Sequence, residues 1–268
     1  MRRSIRCWAA VTFAVSVLPA LARGQGAGIP PGELRPVIDK AVGYLKSSQG
    51  ADGSFSPKVA GPGVSALVAA ALLRNGYSPR EPLVARTLKY LEGQVQKDGG
   101  IYSKGLANYT TSVAVMALAQ ANKDGKYDKT LKAASDFLKA LQKEAEEADA
   151  AFGGFGYDGK TRPDASNTNF TVEALLAAGV PKDDPAIQKA LKFISRCQNL
   201  PGESNDQPFA QKASADDRGV FTYVRFDSDD IPHRTPAGGL RSLRGMTYAG
   251  VKSLLLAGVA NGHPAVNE

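Results

Sequence analysis

The stretch Lys40–Phe55, KAVGYLKSSQGADGSF, decides how the rest of the chain is read. Tyr44 and Leu45 are followed by Gln49, and then by a turn in which Asp52-Gly53 precedes Phe55. The order reads as a helix end, a tight turn that uses the freedom of glycine at positive φ, and an aromatic plug. Ahead of it, Val37, Ala41, Tyr44 and Leu45 share one face at helical spacing, so Pro36–Ser48 is expected to be an amphipathic helix with proline at its start. Behind it, Gly61-Pro62-Gly63 breaks the chain before Ser65–Leu73, a run with almost no polar face and therefore a buried helix.

The same grammar returns three times. Val84, Leu88, Tyr90 and Leu91 lead to the turn Gln96–Tyr102 and the apolar run Thr110–Ala121. Leu131, Phe137-Leu138 and Gln142 lead to Gly153–Tyr157 and then Asn169–Ala178. Ile187, Phe193-Ile194 and Gln198 lead, across a long polar insertion, to Gly219–Tyr223 and Met246–Ala257. Three of the apolar runs end Leu-Leu-x-x-Gly, at Gly76, Gly179 and Gly258, the pattern of a Schellman helix ending. A hairpin of this size cannot bury its apolar faces alone, so neighbours must stack, with the apolar helices inside and the amphipathic ones outside. The repeats are placed at residues 36–79, 82–125, 129–181 and 185–259, with 264–268 the start of a fifth outer helix. Glu268 comes before the aromatic position of that helix. An open ring is therefore expected, either a truncated product or a chain that associates with itself through its open ends.

The first residues stand outside this pattern. Arg2, Arg3 and Arg6 precede an apolar run from Cys7 to Leu21 that ends in Ala20-Leu21-Ala22, the layout of a secretory signal peptide spanning residues 1–22. Pro19 interrupts the run, which is shorter than a membrane span needs. Residues 23–35 read as a flexible Gly/Pro-rich lead-in, and 36–268 as the repeat domain. The expected product is exported, periplasmic or extracellular, and has no transmembrane segment once cut. Only Cys197 remains after cleavage, so stability must come from packing and not from an internal disulfide. Losing the three arginines lowers the net charge from +7 to about +4, a mild and scattered excess that gives no nucleic-acid footprint. With 43% hydrophobic residues the chain can build a large core.

The spacing Lys40-x3-Tyr44-Leu45-x3-Gln49-x3-Gly53-x-Phe55 resembles the QW motif of squalene cyclases, with Phe where that family has Trp. Phe137 with Gln142, and Phe193 with Gln198, are two further starts, and their turns carry Phe155 and Phe221. The second repeat is degenerate, with Val95 and Ile101 at the Gln and aromatic positions. The chain resembles the prenyltransferase/squalene-oxidase repeat group, and the resemblance implies an all-α fold, an α/α-toroid, here incomplete. It is specific for fold and not for chemistry. In physical terms the motif residues are structural: Gln can bond free backbone groups at a helix end, and the aromatic fills the seam between hairpins.

Cyclases of this group protonate an alkene with an Asp of an Asp-x-Asp-Asp motif that runs directly into an inner helix, a task needing a protonated acid in a dry cavity. Asp227-Ser228-Asp229-Asp230 matches the letters, which makes Asp227, Asp229 and Asp230 the catalytic candidates. Ile231-Pro232-His233 follows and Met246 is still distant, so a solvated acidic loop is the expected role. The group's prenyltransferases use a zinc-bound thiolate, whose Asp-x-Cys pattern Cys197 does not share; no metal and no cofactor is expected. Binding candidates stand at the heads of the inner helices, where polar and aromatic groups mix: Asn108, Tyr109, Thr110, Asn167, Asn169, Phe170, Thr247 and Tyr248. Asn and Thr there are also ordinary helix caps. The expectation is an exported toroid that binds an apolar or isoprenoid small molecule or serves as a scaffold. The alternative is a terpenoid-cyclase-like or prenyltransferase-like enzyme acting on an isoprenoid with loop 227–230 as its acid.

Overall fold

The structure is a computed structural model that describes residues 31–149, 151–202, 205–223, 234–260 and 263–267. The expected signal peptide at 1–22, most of the expected lead-in, and the candidates Asp227, Asp229 and Asp230 lie outside the described residues. The chain divides into two compact units, Met1–Leu45 and Lys46–Glu268. Helix α1, Pro31–Ser48, begins in the first. It starts five positions before the expected Pro36, which sits inside the helix, so residues 31–35 are helical and not lead-in. Pro31 and Glu33 explain the earlier start: one is a good first helical residue, and the other favours the positive end of the helix dipole.

The expected buried face of this helix is corrected. Val37 is 63% and Tyr44 71% exposed, while Val42 is buried and Ile38 and Leu45 are half-buried. Positions 38, 42 and 45 keep helical spacing one residue out of phase with 37, 41 and 44, so both sets satisfy the same periodicity.

The second unit is built from helices in two layers. They are α2 (Pro57–Ala60), α3 (Gly63–Arg74), α4 (Pro82–Glu92), α5 (Ala107–Ala121), α6 (Asp128–Ala140), α7 (Ala165–Ala177), α8 (Pro185–Arg196), α9 (Arg244–Leu256) and α10 (Pro264–Asn267). The inner helices α3, α5, α7 and α9 pack each on the next, and α4, α6, α8 and α10 pack outside them. This is the all-α layering expected of the toroid. Burial follows composition. Helix α5 is buried on every side from Thr110 to Leu118. The outer α8 buries Ala186, Ile187, Ala190, Phe193 and Ile194 along one stripe. Each such Leu, Ile or Phe contributes about 1.5–3 kcal/mol.

One joint is repeated around this unit, and the Gln of the motif is its tie. Gln49 Nε2 donates to the carbonyls of Gly53 and Leu83, at 3.2 and 3.0 Å. Gln142 donates to Gly153 and Ala186, both at 2.8 Å. Gln198 donates to Gly219 and Ala265, at 2.8 and 3.0 Å. The first partner is the turn of the same repeat; the second is always the second residue of the next outer helix. Each amide therefore fixes the entry of its successor. At the turn, Gly53, Gly99 and Gly153 have φ of 89, 90 and 76°. A Cβ there would come within 2.3, 2.6 and 2.2 Å of the carbonyl oxygens of Arg86, Ala133 and Lys189 on the following outer helix. Glycine is required both for the left-handed backbone and for the close approach.

The plug is equally regular. Phe55, Phe155 and Phe221 are buried, as is Ile101 in the second repeat. Their backbone N–H groups donate to hydroxyls near the heads of the inner helices: Ser65 (2.8 Å), Thr168 (3.0 Å), Thr247 (3.2 Å) and Thr111 (2.8 Å). The outer-helix aromatics lie over the turn of the repeat before. Phe137 packs on Gly100 and stacks on Tyr102 at 5.6 Å, and Phe193 packs on Gly154. The inner helices close as expected, with Tyr77, Val180 and Val259 N–H bonding back to Leu72, Leu175 and Leu254 across glycines at φ 84, 87 and 95°.

Candidate functional site

Because each outer helix runs back against the inner helix it joins, successive inner helices run parallel. Between α3, α5, α7 and α9 they line a half-open cavity of about 500 Å³. Its apolar wall includes Leu67 and Ala70 from α3, Val113 and Met116 from α5, Phe170 from α7, and Met246 and Ala249 from α9. The volume and mixed lining are those of a small-molecule site.

Toward the helix C-termini the lining is charged. The Glu173 carboxylate accepts from Arg74 Nη2 at 2.8 Å and from Lys252 Nζ at 2.6 Å, one cation on each oxygen. The Glu173 side chain is 12% exposed, against 49% for Arg74 and 29% for Lys252, so one shielded carboxylate ties three helices through cations that reach solvent. A wider groove, about 670 Å³, lies on the outer side around Glu92, Lys126 and Tyr127. Within it Glu92 accepts from both Lys126 (2.6 Å) and Tyr127 (2.8 Å).

The binding candidates divide by place. Asn169, Phe170 and Tyr248 line the cavity. Asn169 Oδ1 is also held by Ser253 at 2.6 Å, and Tyr248 is 74% exposed. Asn108 lies between helices, donating to Gly156 O and accepting from Thr171. Thr110 bonds back to Leu106 O, Tyr109 sits edge-on to Phe170 at 5.2 Å, and Thr247 serves the Phe221 plug.

Asn167 belongs to the head of α7, where the structure exposes a site that the sequence search passed over. Asp164 is the N-cap: its Oδ1 accepts from Asn167 N at 2.8 Å and its Oδ2 from Asn167 Nδ2 at 2.7 Å. Burial raises its pKa above the ordinary aspartate range, against the lowering effect of those two bonds. Tyr223 lies nearby; its hydroxyl is pushed up by burial, by the Tyr157 hydroxyl 3.3 Å away and by the charge of Asp164. The segment Asp164-Ala165-Ser166-Asn167 runs directly into an inner helix, the place where the cyclase motif Asp-x-Asp-Asp is expected. Here Ser166 and Asn167 stand in its second and third carboxylate positions, and Ser166 lines the cavity. A looser pattern, one Asp at the head of an apolar run, would have found it.

Cys197 is buried, and no group of three His, Cys, Asp or Glu among the described residues could hold a metal ion. No helix among the described residues is long and apolar enough to cross a membrane. No curated protein sequence matches the chain. Residues 56–216, more than half of the chain, match the squalene-hopene cyclase C-terminal domain. That span takes in α2 to α8, the joints at Gly99 and Gln142, and the head of α7. On this match the chain belongs to the squalene-hopene cyclase C-terminal domain family.

Proposed function

We propose that the chain is an exported binding protein on a cyclase-type framework, which holds a partly apolar or isoprenoid molecule in the inner-helix cavity without cyclising it. One observation carries the reading: at the head of α7, Ser166 and not a carboxylate faces the cavity. A serine hydroxyl is far too weak an acid to protonate an alkene. The neighbouring Asp164 has both oxygens engaged by Asn167. Glu173, the carboxylate in the lining, has a cation on each oxygen and so presents none with which to deliver a proton. Export is supported by the basic, apolar and small-residue order of residues 1–22.

Incubation of the purified chain with squalene, followed by gas chromatography and mass spectrometry, tests the reading. Unchanged squalene is expected. A cyclised product that disappears in an Asp229→Asn/Asp230→Asn variant would overturn it in favour of an enzyme using loop 227–230. N-terminal sequencing of material recovered outside the cytoplasm tests export, with cleavage expected after Ala22.

A further inference from the structure

We infer that the cavity ligand carries a single anionic head, seated on Arg74 and Lys252, with its apolar chain lying toward the heads of the inner helices. This rests on the binding reading above and names the class of ligand.

Charge is the first argument. Of the side chains lining the cavity, Arg74, Lys252 and Glu173 are the charged ones, two cations to one anion. The triad neutralises one cation and leaves a net charge of +1 in a partly enclosed space, where a charge interacts more strongly than in bulk water. Donor capacity is the second. Lys252 spends one of its three N–H donors on Glu173, and Arg74 spends Nη2 there, with Met116 Sδ 3.9 Å from the same nitrogen. Donors therefore remain on both cations for a carboxylate or a phosphate monoester oxygen.

Polarity along the cavity is the third argument. Arg74 ends α3, whereas Leu67 lies about two turns nearer its head, roughly 10 Å at 1.5 Å per residue. Phe170 precedes Glu173 on α7, and Met246 precedes Lys252 on α9, in the same sense. Helices α3 and α9 thus grade from apolar to charged in one direction, while on α7 Phe170 lies between the polar Ser166 and Asn169 at the head and Glu173. Leu67 is 41% exposed, an apolar surface that a chain of matching length would cover. Helix C-termini by themselves repel anions, and two cations set there reverse that preference.

The test is calorimetric titration of the full chain with three ligands of one chain length: decanoate, decanol and decyltrimethylammonium. Decanoate is expected to bind at least about tenfold more tightly than decanol, with the difference reduced by salt. Lys252→Met should weaken decanoate and bring its affinity to within about twofold of that for decanol. Glu173→Gln raises the lining charge and should tighten decanoate several-fold, a gain that a misfolded variant could not produce. Equal binding of decanoate and decanol, unmoved by either variant, overturns the anionic head and leaves the cavity reading standing. Preference for the ammonium ligand also overturns it. Binding of none of the three overturns the cavity reading and this inference together.

Discussion

The second and third repeats reach the same geometry by different means. In the third, the Gln142 amide ties the turn to the next outer helix, and Asp164 caps the inner helix through its side chain. In the second, Val95 stands at the amide position and pairs with Ile101 in a backbone bridge, and the Gln96 amide donates within the turn, to Gln94 O and Tyr102 O. Helix α5 there opens at Leu106, which holds φ of 48° with no side-chain cap. Packing makes up the difference. Ile101 is fully buried, α5 is the most completely enclosed helix, and Tyr102 stacks on Phe137 of the following outer helix. A directional tie can therefore be exchanged for contact area, provided the close glycine turn is kept. Gly99 and Gly153 are alike in φ and in the carbonyl that each faces.

The shared feature should be the most fragile. Gly153→Ala forces a Cβ to within 2.2 Å of Lys189 O at φ 76°, and is expected to cost more than about 3 kcal/mol by denaturant titration. A melting curve like that of the unmodified chain would refute the close approach. Next comes the tie itself. Gln142→Met keeps the volume but removes both bonds and leaves the buried Gly153 carbonyl without its partner, while Ala186 O keeps its bond within α8, for an expected loss of about 1–3 kcal/mol.

Val95→Gln runs the exchange in reverse. A new amide would reach for Gly99 O and the first turn of α6, and because position 95 is 38% exposed the gain should be at most about 1 kcal/mol. If stability falls instead, packing at this joint is incompatible with a tie.

The smallest effect is expected at the cap. The pKa of Asp164 is raised on folding, so its ionisation weakens the fold at any pH above the folded value. That penalty is relieved as pH falls through the folded pKa and is gone below the unfolded one. Asp164→Asn removes it, and Asn167, whose Oδ1 has no partner among the described residues, can turn its amide to accept from the new NH₂. The variant should be level with or more stable than the original at neutral pH, by under about 1 kcal/mol, and the gap should close toward pH 4. A gap that widens in acid would show the sign to be wrong.

What the sequence made legible was whatever depends on local order. Glycine turns, Leu-Leu-x-x-Gly endings and the apolar inner runs are each set by a few neighbouring residues, and they appear where the spacing puts them. Partners across repeats were not legible. That Gln49 would reach Leu83, or Glu173 both Arg74 and Lys252, depends on which helices stack, and periodicity carries no such information. The phase of α1 was lost because two adjacent stripes fit one period. Asp164 was missed because a search for three carboxylates cannot see a place where one remains.

The direction of the glutamine ties also bears on how such a chain can grow. The first, third and fourth repeats each hold the first turn of the outer helix that follows. A copied repeat would arrive with its own hold on its successor and find its predecessor's waiting. Tandem duplication of a repeat that carries the glutamine could thus lengthen the array while the new junction stayed chemically the same as the old.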